Sequence, residues 1–350
     1  MDKARLRVLV VGYGYWGPNL VRNLVHCPLT QVTAVCDADV RRLAKARGLF
    51  PFVETHTQLD AALQAGVDAV VIATPVSTHY PIALRCLDAG KHLLIEKPLT
   101  RTSAEGADLV ARAQRAGKVL MVDHTFLFSP AVRRIKQMVE SGDLGDIFFV
   151  DSVRINLGLV QRDINVIWDL APHDLSIIDY WLVQVPARIA ASGKSHVNNQ
   201  EDVALVTLDY DKRLFAGLHV NWLSPVKIRQ TVLGGSRRSV VYNDNEPTEK
   251  IRVYDRQIEC SADPEDKHRV LFDYRLGDMW SPYVGTGEPL QAVVQHFAEC
   301  ALHDRTPLSD GVAGLRIVQM LEATDRSLGL AGQAVPFLNT VEAPRLPLAA

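Results

Sequence analysis

The stretch Val8-Leu9-Val10-Val11-Gly12-Tyr13-Gly14-Tyr15-Trp16-Gly17 decides the fold of this 350-residue chain. A short apolar run ends in glycines spaced G-x-G-x-x-G, and a helical pattern follows from Pro18. In such a strand-to-helix turn, the first glycine permits the tight turn, the second lets a pyrophosphate approach, and the third lets the helix pack on the strand. The pyrophosphate then lies on the N–H groups at the positive end of the helix dipole. The stretch predicts a dinucleotide-binding turn made by Gly12, Gly14, Tyr15, Trp16 and Gly17.

Strand and helix patterns alternate through the first third of the chain. The strand segments are nearly continuous apolar runs, which are typical of a parallel sheet buried on both faces. Several helical segments end in Ala-Gly, where the glycine accepts the left-handed conformation that ends a helix. These patterns predict an α/β Rossmann domain over residues 1–125. Its strands are Leu6–Val11, Gln31–Cys36, Ala69–Thr74, His92–Ile95 and Val119–Val122, and its helices are Pro18–Val25, Asp39–Arg47, Leu59–Ala65, Pro81–Ala89 and Ala104–Ala116.

The pattern changes after about residue 125, where longer strands with period-two alternation appear. Alternation of this kind is typical of an antiparallel sheet with one covered face. It predicts an α+β domain over residues 126–350, with a large, mostly antiparallel open sheet. The predicted strands are Phe148–Ile155, Val203–Tyr210, Leu214–Trp222, Gln230–Val232, Ser239–Tyr242 and Ile251–Asp255. The predicted helices are Asp169–Leu182, Leu290–His303 and Gly311–Leu328, and Pro336–Ala350 is expected to be an extended arm.

Composition excludes several classes of protein. The net charge is −2 and no basic stripe is present, so a nucleic-acid partner is not expected. No apolar stretch approaches the roughly 20 residues that span a bilayer, so no membrane partner is expected either. The five cysteines are scattered and include no C-x-x-C pair, so neither a disulfide framework nor a bound metal is expected. The sequence therefore predicts a cytoplasmic protein with a small-molecule substrate.

The residue that follows the second predicted strand bears on the choice of cofactor. Asp37 lies twenty residues after Gly17, where an acidic side chain binds the adenosine ribose hydroxyls of NAD and disfavours the 2′-phosphate of NADP. Arg41 and Arg42 are close enough in sequence to reach a 2′-phosphate, so NADP stays an alternative. NAD is the predicted cofactor.

Two further strand ends are expected to border the nicotinamide, because ligands of open α/β sheets bind at the carboxyl ends of the strands. Thr74-Pro75 with His79 follows one strand, and Glu96-Lys97-Pro98 follows the next. An alternative for the first loop is an ordinary connection in which Ser77 or Thr78 caps a helix. A lysine at a strand exit is common, so the spacing alone leaves the role of Lys97 open.

These elements together resemble the Gfo/Idh/MocA family of glucose–fructose oxidoreductases and inositol dehydrogenases. The resemblance rests on the glycine turn, Ala73-Thr74-Pro75 with His79, Glu96-Lys97-Pro98, Asp169-Leu170-Ala171-Pro172-His173-Asp174, and Pro307-Leu308-Ser309-Asp310-Gly311. It implies that Lys97 is the catalytic lysine and that Asp169 and His173 are the family's catalytic pair. Many relatives carry an asparagine and an arginine near Val122–Phe126; in this chain His124 is expected to border the nicotinamide instead.

The spacing of Asp169 and His173 agrees with that assignment. Residues four apart share one face of a helix. Since proline is tolerated only in the first turn, Pro172 predicts that the helix begins nearby and that the pair lies in its first turn. The alternative is that Asp169 is a helix cap and His173 a core histidine.

The reaction that the resemblance implies is oxidation of a secondary alcohol. His173 is expected to take the hydroxyl proton, because an imidazole titrates near neutral pH. Lys97 is expected either to take part in the proton relay or to stabilise the developing alkoxide, and Asp169 to fix the substrate or the imidazole. Keto-sugar reductases of the family have a tyrosine in place of this histidine, so His173 favours the dehydrogenase direction.

The stretch from Arg154 to Asp174 resembles the branch of the family that oxidises nucleotide-linked sugars, UDP-N-acetylglucosamine or its uronate, at carbon 3. The expected substrate residues are Lys97, Arg154, Asn156, Asn165, Trp168, Asp169, His173, Trp222, Lys227 and Arg229, with Trp222 stacking on the sugar and the cations of the 227–229 segment binding the diphosphate. Alternatively, Trp222 packs in the sheet and Lys227 and Arg229 are solvated.

Other functions remain open at this stage. They are an inositol or free-sugar dehydrogenase, an NADPH-dependent dTDP-keto-sugar reductase, and a non-catalytic dinucleotide-binding regulator. The resemblance also implies a homodimer or homotetramer formed through the open sheets.

Overall fold

The computed structural model describes residues 5–158, 160, 163–210, 213–260 and 272–339. These residues form two compact units. The first contains the described residues as far as Phe128 together with Gly287–Glu322. The second contains the described part of Ser129–Thr286 together with Ala323–Leu338.

The first unit is built on a six-stranded parallel sheet in the order β3-β2-β1-β4-β5-β6. The strands β1 and β4 are almost wholly buried, as their apolar sequences predict. Because the strand order reverses beside β1, a ligand crevice is expected at the carboxyl ends of β1 and β4. The strands are β1 (Leu6–Val11), β2 (Thr30–Cys36), β3 (Glu54–His56), β4 (Ala69–Ile72), β5 (His92–Glu96) and β6 (Leu120–Asp123).

Five of the described helices follow the strands of this unit, and Pro289–His303 and the first part of Gly311–Gly329 return to it from later in the chain. The glycines of the Ala-Gly pairs, Gly66, Gly90 and Gly117, have φ of 65°, 71° and 60°, as the helix-ending pattern predicts. The helices are α1 (Gly17–His26), α2 (Val40–Leu49), α3 (Leu59–Leu63), α4 (His79–Asp88) and α5 (Ser103–Arg115). The returning helix, Pro289–His303, packs on α1, and Glu288 at its start pairs with Arg22 at 2.6 Å.

The second unit is built on a nine-stranded sheet, ordered β14-β13-β12-β11-β7-β10-β9-β8-β15. Among the strand pairs that the structure describes in this sheet, β7–β10 is parallel and the others are antiparallel. The elements from here to the end of the described chain are α6 (Pro130–Glu140), β7 (Ile147–Leu157), α7 (Val166–Leu182), β8 (Arg188–Lys194), β9 (Val203–Asp209), β10 (Phe215–Asn221), β11 (Leu223–Gly235), β12 (Ser239–Asn243), β13 (Ile251–Cys260), β14 (Phe272–Trp280), α8 (Pro289–His303), α9 (Gly311–Gly329) and β15 (Val335–Pro336). Of these, α8 belongs to the first unit, and α9 belongs to the first unit as far as Glu322 and to the second from Ala323.

One face of this sheet is covered and the other is open. Along β7, Val150, Ser152 and Arg154 are buried on the side that faces α7, whereas Phe149 and Asp151 point the other way and are exposed. The predicted fold class, a Rossmann domain followed by an α+β domain with a mostly antiparallel sheet, is therefore confirmed.

Some elements differ from the sequence-based expectation. The strands β3, β8, β14 and β15 and the helix α6 were not predicted, and α7 begins at Val166 rather than at Asp169. The predicted arm is described only as far as Asn339, and its remainder lies outside the described residues. Among the helices that the structure describes, none combines the length and apolar character needed to cross a membrane.

Candidate active site

The glycine turn has the shape that a dinucleotide requires. Gly12 has a φ of 95°, and a Cβ there would lie 2.4 Å from the carbonyl oxygen of Ala73. A Cβ on Gly17 would lie 2.3 Å from the carbonyl oxygen of Gly12, so neither position accepts a side chain. At Gly14 the nearest atom is Nη1 of Arg42, 3.6 Å from the Cβ position, which leaves that side of the turn accessible. The turn therefore fits a bound pyrophosphate.

Asp37 supports the glycine turn from the end of β2. Its Oδ2 accepts the backbone N–H of Tyr13 at 2.7 Å, and its Oδ1 accepts that of Asp39 at 2.8 Å. Nη1 of Arg42 lies 3.5 Å from Oδ2. Asp37, which the sequence predicts to bind the ribose, thus lies directly beside the turn. Arg42, whose positive charge would favour NADP, lies next to Asp37. Tyr15 is exposed and Trp16 half-buried on the same turn.

His79 connects two of the predicted cofactor loops. The side chain is 1% exposed; Nε2 lies 2.9 Å from the carbonyl oxygen of Thr74, and Nδ1 lies 3.0 Å from that of Pro98. Burial lowers the pKa of His79. Thr78, in a short 3-10 helix, donates its hydroxyl to Oγ1 of Thr74 at 2.7 Å. The two contacts of His79 favour a role for this side chain in joining the loops after β4 and β5 over direct contact with a cofactor.

Lys97 is half-buried at the end of β5, next to three titratable side chains. The parallel register pairs Glu96 with Asp123, the last residue of β6. Burial, followed by the charge of Asp123, raises the pKa of Glu96 well above its ordinary value, and burial raises the pKa of Asp123. Sequence reasoning did not single out Asp123. The available signal was a lone acidic residue at the carboxyl end of an apolar strand.

His124 is the third of these side chains. It is 1% exposed, and among the residues that the structure describes neither ring nitrogen has a hydrogen-bond partner. Burial, followed by the positive charge of Lys97, lowers the pKa of His124 to about 3, so the ring is neutral at physiological pH. Unsatisfied buried polar groups are rare and need an explanation. Its place beside Lys97 agrees with the prediction that His124 borders a nicotinamide.

The second unit places Asp169 and His173 on one face of α7, where both are half-exposed. Asn165 caps the helix, since its Oδ1 accepts the backbone N–H of Trp168 at 3.1 Å. Pro172 lies inside α7, so the expectation that the helix begins next to Pro172 is wrong. Having no N–H, this proline cannot donate to the carbonyl of Trp168. The pair keeps its common face, but only Asp169 is in the first turn.

Trp222 holds Asp169 in place. Its indole is 1% exposed, and Nε1 donates to Oδ2 of Asp169 at 3.1 Å. Gly158 packs against the ring: its N–H donates to the carbonyl of Trp222 at 2.9 Å, and a Cβ there would lie 3.0 Å from Cδ1 of Trp222. The sequence predicted that Trp222 stacks on a sugar. The geometry favours a positioning role toward Asp169.

Three other predicted substrate residues also hold α7. Arg154 is 3% exposed and pairs with Asp174, Nε to Oδ2, at 2.6 Å. Nε1 of Trp168 donates to Oδ2 of Asp325 at 2.8 Å, and Nδ2 of Asn165 donates to Glu201 at 3.0 Å. These contacts favour structural roles, because the polar atoms concerned are engaged within the fold.

The remaining predicted substrate residues lie on β7 and β11. Asn156 is half-buried, Lys227 is exposed, and Nη1 of Arg229 lies 3.4 Å from Oδ2 of Asp244. Of the three, Lys227 is the most accessible to a ligand. No group of three His, Cys, Asp or Glu side chains in the described part of the chain is arranged to hold a metal ion.

Three features define a dinucleotide-binding protein: a parallel sheet whose strand order reverses, a turn whose Gly12 and Gly17 accept no side chain, and an acidic residue beside that turn. The model of an oxidoreductase family with an NAD-binding Rossmann fold matches residues 6–124, and the GFO/IDH/MocA C-terminal domain matches residues 132–241. The chain belongs to the Gfo/Idh/MocA family. Its cofactor is NAD, as predicted.

Individual relatives act on different substrates. UDP-N-acetylglucosamine 3-dehydrogenase of Acidithiobacillus ferrooxidans is 26% identical over 89% of this chain and 94% of its own length. Its solved structure gives a TM-score of 0.79 at 24% identity, covering 94% of this chain and 99% of the other. The NADP-dependent scyllo-inositol 2-dehydrogenase of Bacillus subtilis is 27% identical over 60% of this chain and 63% of its own. An inositol dehydrogenase homologue of Azotobacter vinelandii, solved with NADH and myo-inositol, has a TM-score of 0.78 at 19% identity, covering 96% and 98% of the two chains.

Proposed function

We propose that this enzyme oxidises a secondary alcohol of a sugar with NAD, and that its substrate is a nucleotide-linked sugar oxidised at carbon 3, of the UDP-N-acetylglucosamine or uronate type. The observation that carries the proposal is which side chains of α7 are engaged within the fold and which are partly exposed. Its buried polar side chains are engaged within the fold, whereas Asp169 and His173 stay half-exposed on one face. A half-exposed acid and imidazole on an anchored helix suit proton transfer to and from a bound ligand. The 3-dehydrogenase relative, aligned along nearly its whole length, supports the substrate class.

The proposed chemistry gives each of the predicted catalytic residues one role. NAD, when bound, supplies the hydride acceptor. The imidazole of His173 takes the proton of the substrate hydroxyl. The ammonium group of Lys97 donates a hydrogen bond to the same oxygen and stabilises the negative charge that develops there. Asp169, held by the indole of Trp222, orients the imidazole or accepts a substrate hydroxyl.

The cofactor is proposed to lie on the glycine turn, with its adenosine ribose on Asp37. Oδ1 of Asp37 accepts the backbone N–H of Asp39 and keeps a further lone pair for a ribose hydroxyl, whereas Oδ2 accepts both the backbone N–H of Tyr13 and Nη1 of Arg42. Arg42 beside Asp37 is the residue through which NADP would be accepted. The free ring nitrogens of His124 are proposed to face the nicotinamide side.

The open face of the second sheet is proposed to pair with that of another copy of the chain. Apolar side chains on this face are partly exposed, among them Phe149, Leu205 and Phe215. Apolar patches of this kind mark protein interfaces. Leu205→Asp should lower the sedimentation mass of the native oligomer. An unchanged assembly would mean that the oligomer, if any, forms elsewhere.

The test of function is turnover, measured as the change in nicotinamide absorbance with NAD and with NADP. The substrates are UDP-N-acetylglucosamine, its uronate, myo- and scyllo-inositol, and free hexoses; dTDP-keto-sugars are tested with NADPH. Product from a UDP-sugar is mapped by NMR to locate the new carbonyl carbon. Turnover of inositols alone would replace the proposal with the alternative that the inositol relatives favour. Cofactor binding without any turnover would favour a regulator.

A further inference from the structure

Two carboxyl groups meet at the end of the first sheet. Glu96 is the last residue of β5 and Asp123 the last of β6, and the parallel register sets them side by side. Their side chains are in hydrogen-bonding contact. Oε1 of Glu96 and Oδ2 of Asp123 are shielded from solvent, and neither finds a hydrogen-bond donor in the part of the chain that the structure describes. Two ionised carboxylates in such contact repel each other, and a proton between them removes the repulsion.

The surroundings of the two groups differ. Asp123 is 1% exposed, its Oδ1 accepts the hydroxyl of Thr125 at 2.7 Å, and the side chain of Trp16 donates a further hydrogen bond. These donors favour the ionised form of Asp123. Glu96 has Asp123 as its side-chain partner and one backbone donor, the N–H of Lys97, against the two side-chain donors of Asp123. Among the residues that the structure describes, Lys97 is the further charged group that acts on both carboxyls, and the buried, neutral His124 follows Asp123 directly in the chain.

We propose that Glu96 and Asp123 share one proton, carried by Glu96 and donated to Asp123, so that the pair bears a single negative charge beside Lys97. Asp123 is then a positioning residue: it ties Trp16 of the glycine turn, Thr125 and the Glu-Lys-Pro loop to one carboxylate. The raised pKa of Glu96, caused first by burial and then by the charge of Asp123, agrees with this arrangement. Only the consequence for Lys97 rests on the proposed function.

The charge balance explains why a pair is needed. A single carboxylate neutralises the ammonium of Lys97, whereas two would leave an excess negative charge in a site shielded from water. Burying an uncompensated charge is costly. The shared proton therefore keeps the cluster neutral while both side chains remain hydrogen-bonded.

The proton is tested by NMR titration of the whole enzyme with carboxyl-¹³C-labelled glutamate and aspartate. Wild type should show one carboxyl that stays protonated at neutral pH, and Glu96→Gln should lose it. In Asp123→Asn, the amide can donate to Glu96 and the charge of Asp123 is gone, so Glu96 should ionise at a lower pH than in wild type, although burial still raises its pKa. If every carboxyl of the wild type is ionised at pH 7, the shared proton does not exist.

Stability gives a second measurement that does not depend on turnover. A carboxyl whose pKa is raised on folding binds an extra proton in the native state, so stability falls as pH rises from the ordinary glutamate range through the raised value. Urea unfolding should show this fall in wild type and a smaller one in Glu96→Gln. Parallel curves for the two proteins would overturn the proposal.

The positioning role is tested through Lys97. Asp123→Ala should lower kcat by roughly tenfold to a hundredfold with a smaller change in KM, because displacement of a catalytic group acts mainly on the reacting geometry. In Asp123→Asn, the amide oxygen can still accept from Thr125 and Trp16, and the amide N–H can donate to Glu96, which then carries the negative charge. This variant should restore most of kcat. Equal kcat in Asp123→Ala and wild type would refute positioning. If the protonated carboxyl is found but no substrate is turned over, the proposed function is wrong and the shared proton stands. If a substrate is turned over but no protonated carboxyl is found, the shared proton is wrong and the proposed function stands.

Discussion

Replacing His124 with phenylalanine should change how the folding stability of this enzyme depends on pH. The pKa of His124 is about 3 in the folded chain, lowered first by burial and then by the charge of Lys97, from an ordinary value of 6.5. Between these values the unfolded chain binds a proton that the folded chain does not. The stability associated with the neutral ring is therefore complete above pH 6.5 and is lost as pH falls toward 3.

The magnitude follows from the width of that window. One pKa unit corresponds to about 1.4 kcal/mol, so the full window represents at most about 5 kcal/mol and the part above pH 4 about 3 kcal/mol. Wild type should accordingly lose about 3 kcal/mol more than His124→Phe between pH 7 and pH 4. Phenylalanine fills the same buried space without a group that must be protonated.

The assay is urea unfolding followed by tryptophan fluorescence at several pH values from 7 to 4. His303→Gln, which removes an exposed imidazole, controls for losing a histidine as such. Stability curves of wild type and His124→Phe that run parallel across this range would refute the reasoning. They would mean that the ring reaches water, or that it is protonated without cost in the native state.

Three further predictions concern the proposed reaction. Asp37→Ala should raise KM for NAD and relax discrimination against NADP in initial-rate assays; an unchanged NAD-to-NADP ratio would contradict the ribose assignment. Lys97→Ala and His173→Ala should each lower kcat by roughly 10²–10⁴, the range of general acid–base residues, and near-normal turnover in either variant would remove that residue from the mechanism. Trp222→Phe keeps an aromatic ring but loses the hydrogen bond to Asp169. Its kcat should fall by roughly tenfold to a hundredfold, since a net hydrogen bond to a charged group contributes about 1.5–3 kcal/mol. Because the smaller ring at this buried position also lowers the melting temperature, kcat is measured well below it; an unchanged kcat would show that this bond does not position the acid.

Local sequence patterns were sufficient to predict most of the strands and helices of the first unit. A strand that ends in glycines, helices that end in Ala-Gly, and continuous apolar strands each depend on neighbouring residues, and all three are present as predicted. The three-residue strand β3 offers too short a pattern to detect, and β8 contains small and polar residues, Ala190, Ser192 and Gly193, that mask its alternation. In α7, Pro172 lies inside the helix although proline usually starts or ends one, because contacts with the rest of the fold, such as Arg154 with Asp174 and Trp168 with Asp325, hold the helix despite the lost hydrogen bond.

In the candidate site too, some residues could be predicted from local motifs, whereas the contacts of others depend on the tertiary structure. Lys97, Asp169 and His173 lie in motifs whose spacing is visible in the sequence. The engagement of Arg154 with Asp174 and of Trp222 with Asp169 depends on which strand passes beneath α7. No local pattern reports whether an arginine or a tryptophan finds its partner inside the fold or in a ligand. Asp123 became visible only through its parallel pairing with Glu96.

The return of α8 to the first unit has a consequence for how such enzymes can diversify. The chain leaves this unit after Phe128, re-enters it at Gly287 and leaves it again after Glu322. A single recombination event near residue 125 would join a new downstream half to the old sheet, but would also replace the helix that packs on α1 through Glu288 and Arg22. The parts of the chain before and after residue 125 therefore cannot be exchanged independently of each other. Lineages built on this layout are expected to change substrate by substitutions within one inherited frame rather than by shuffling of domains.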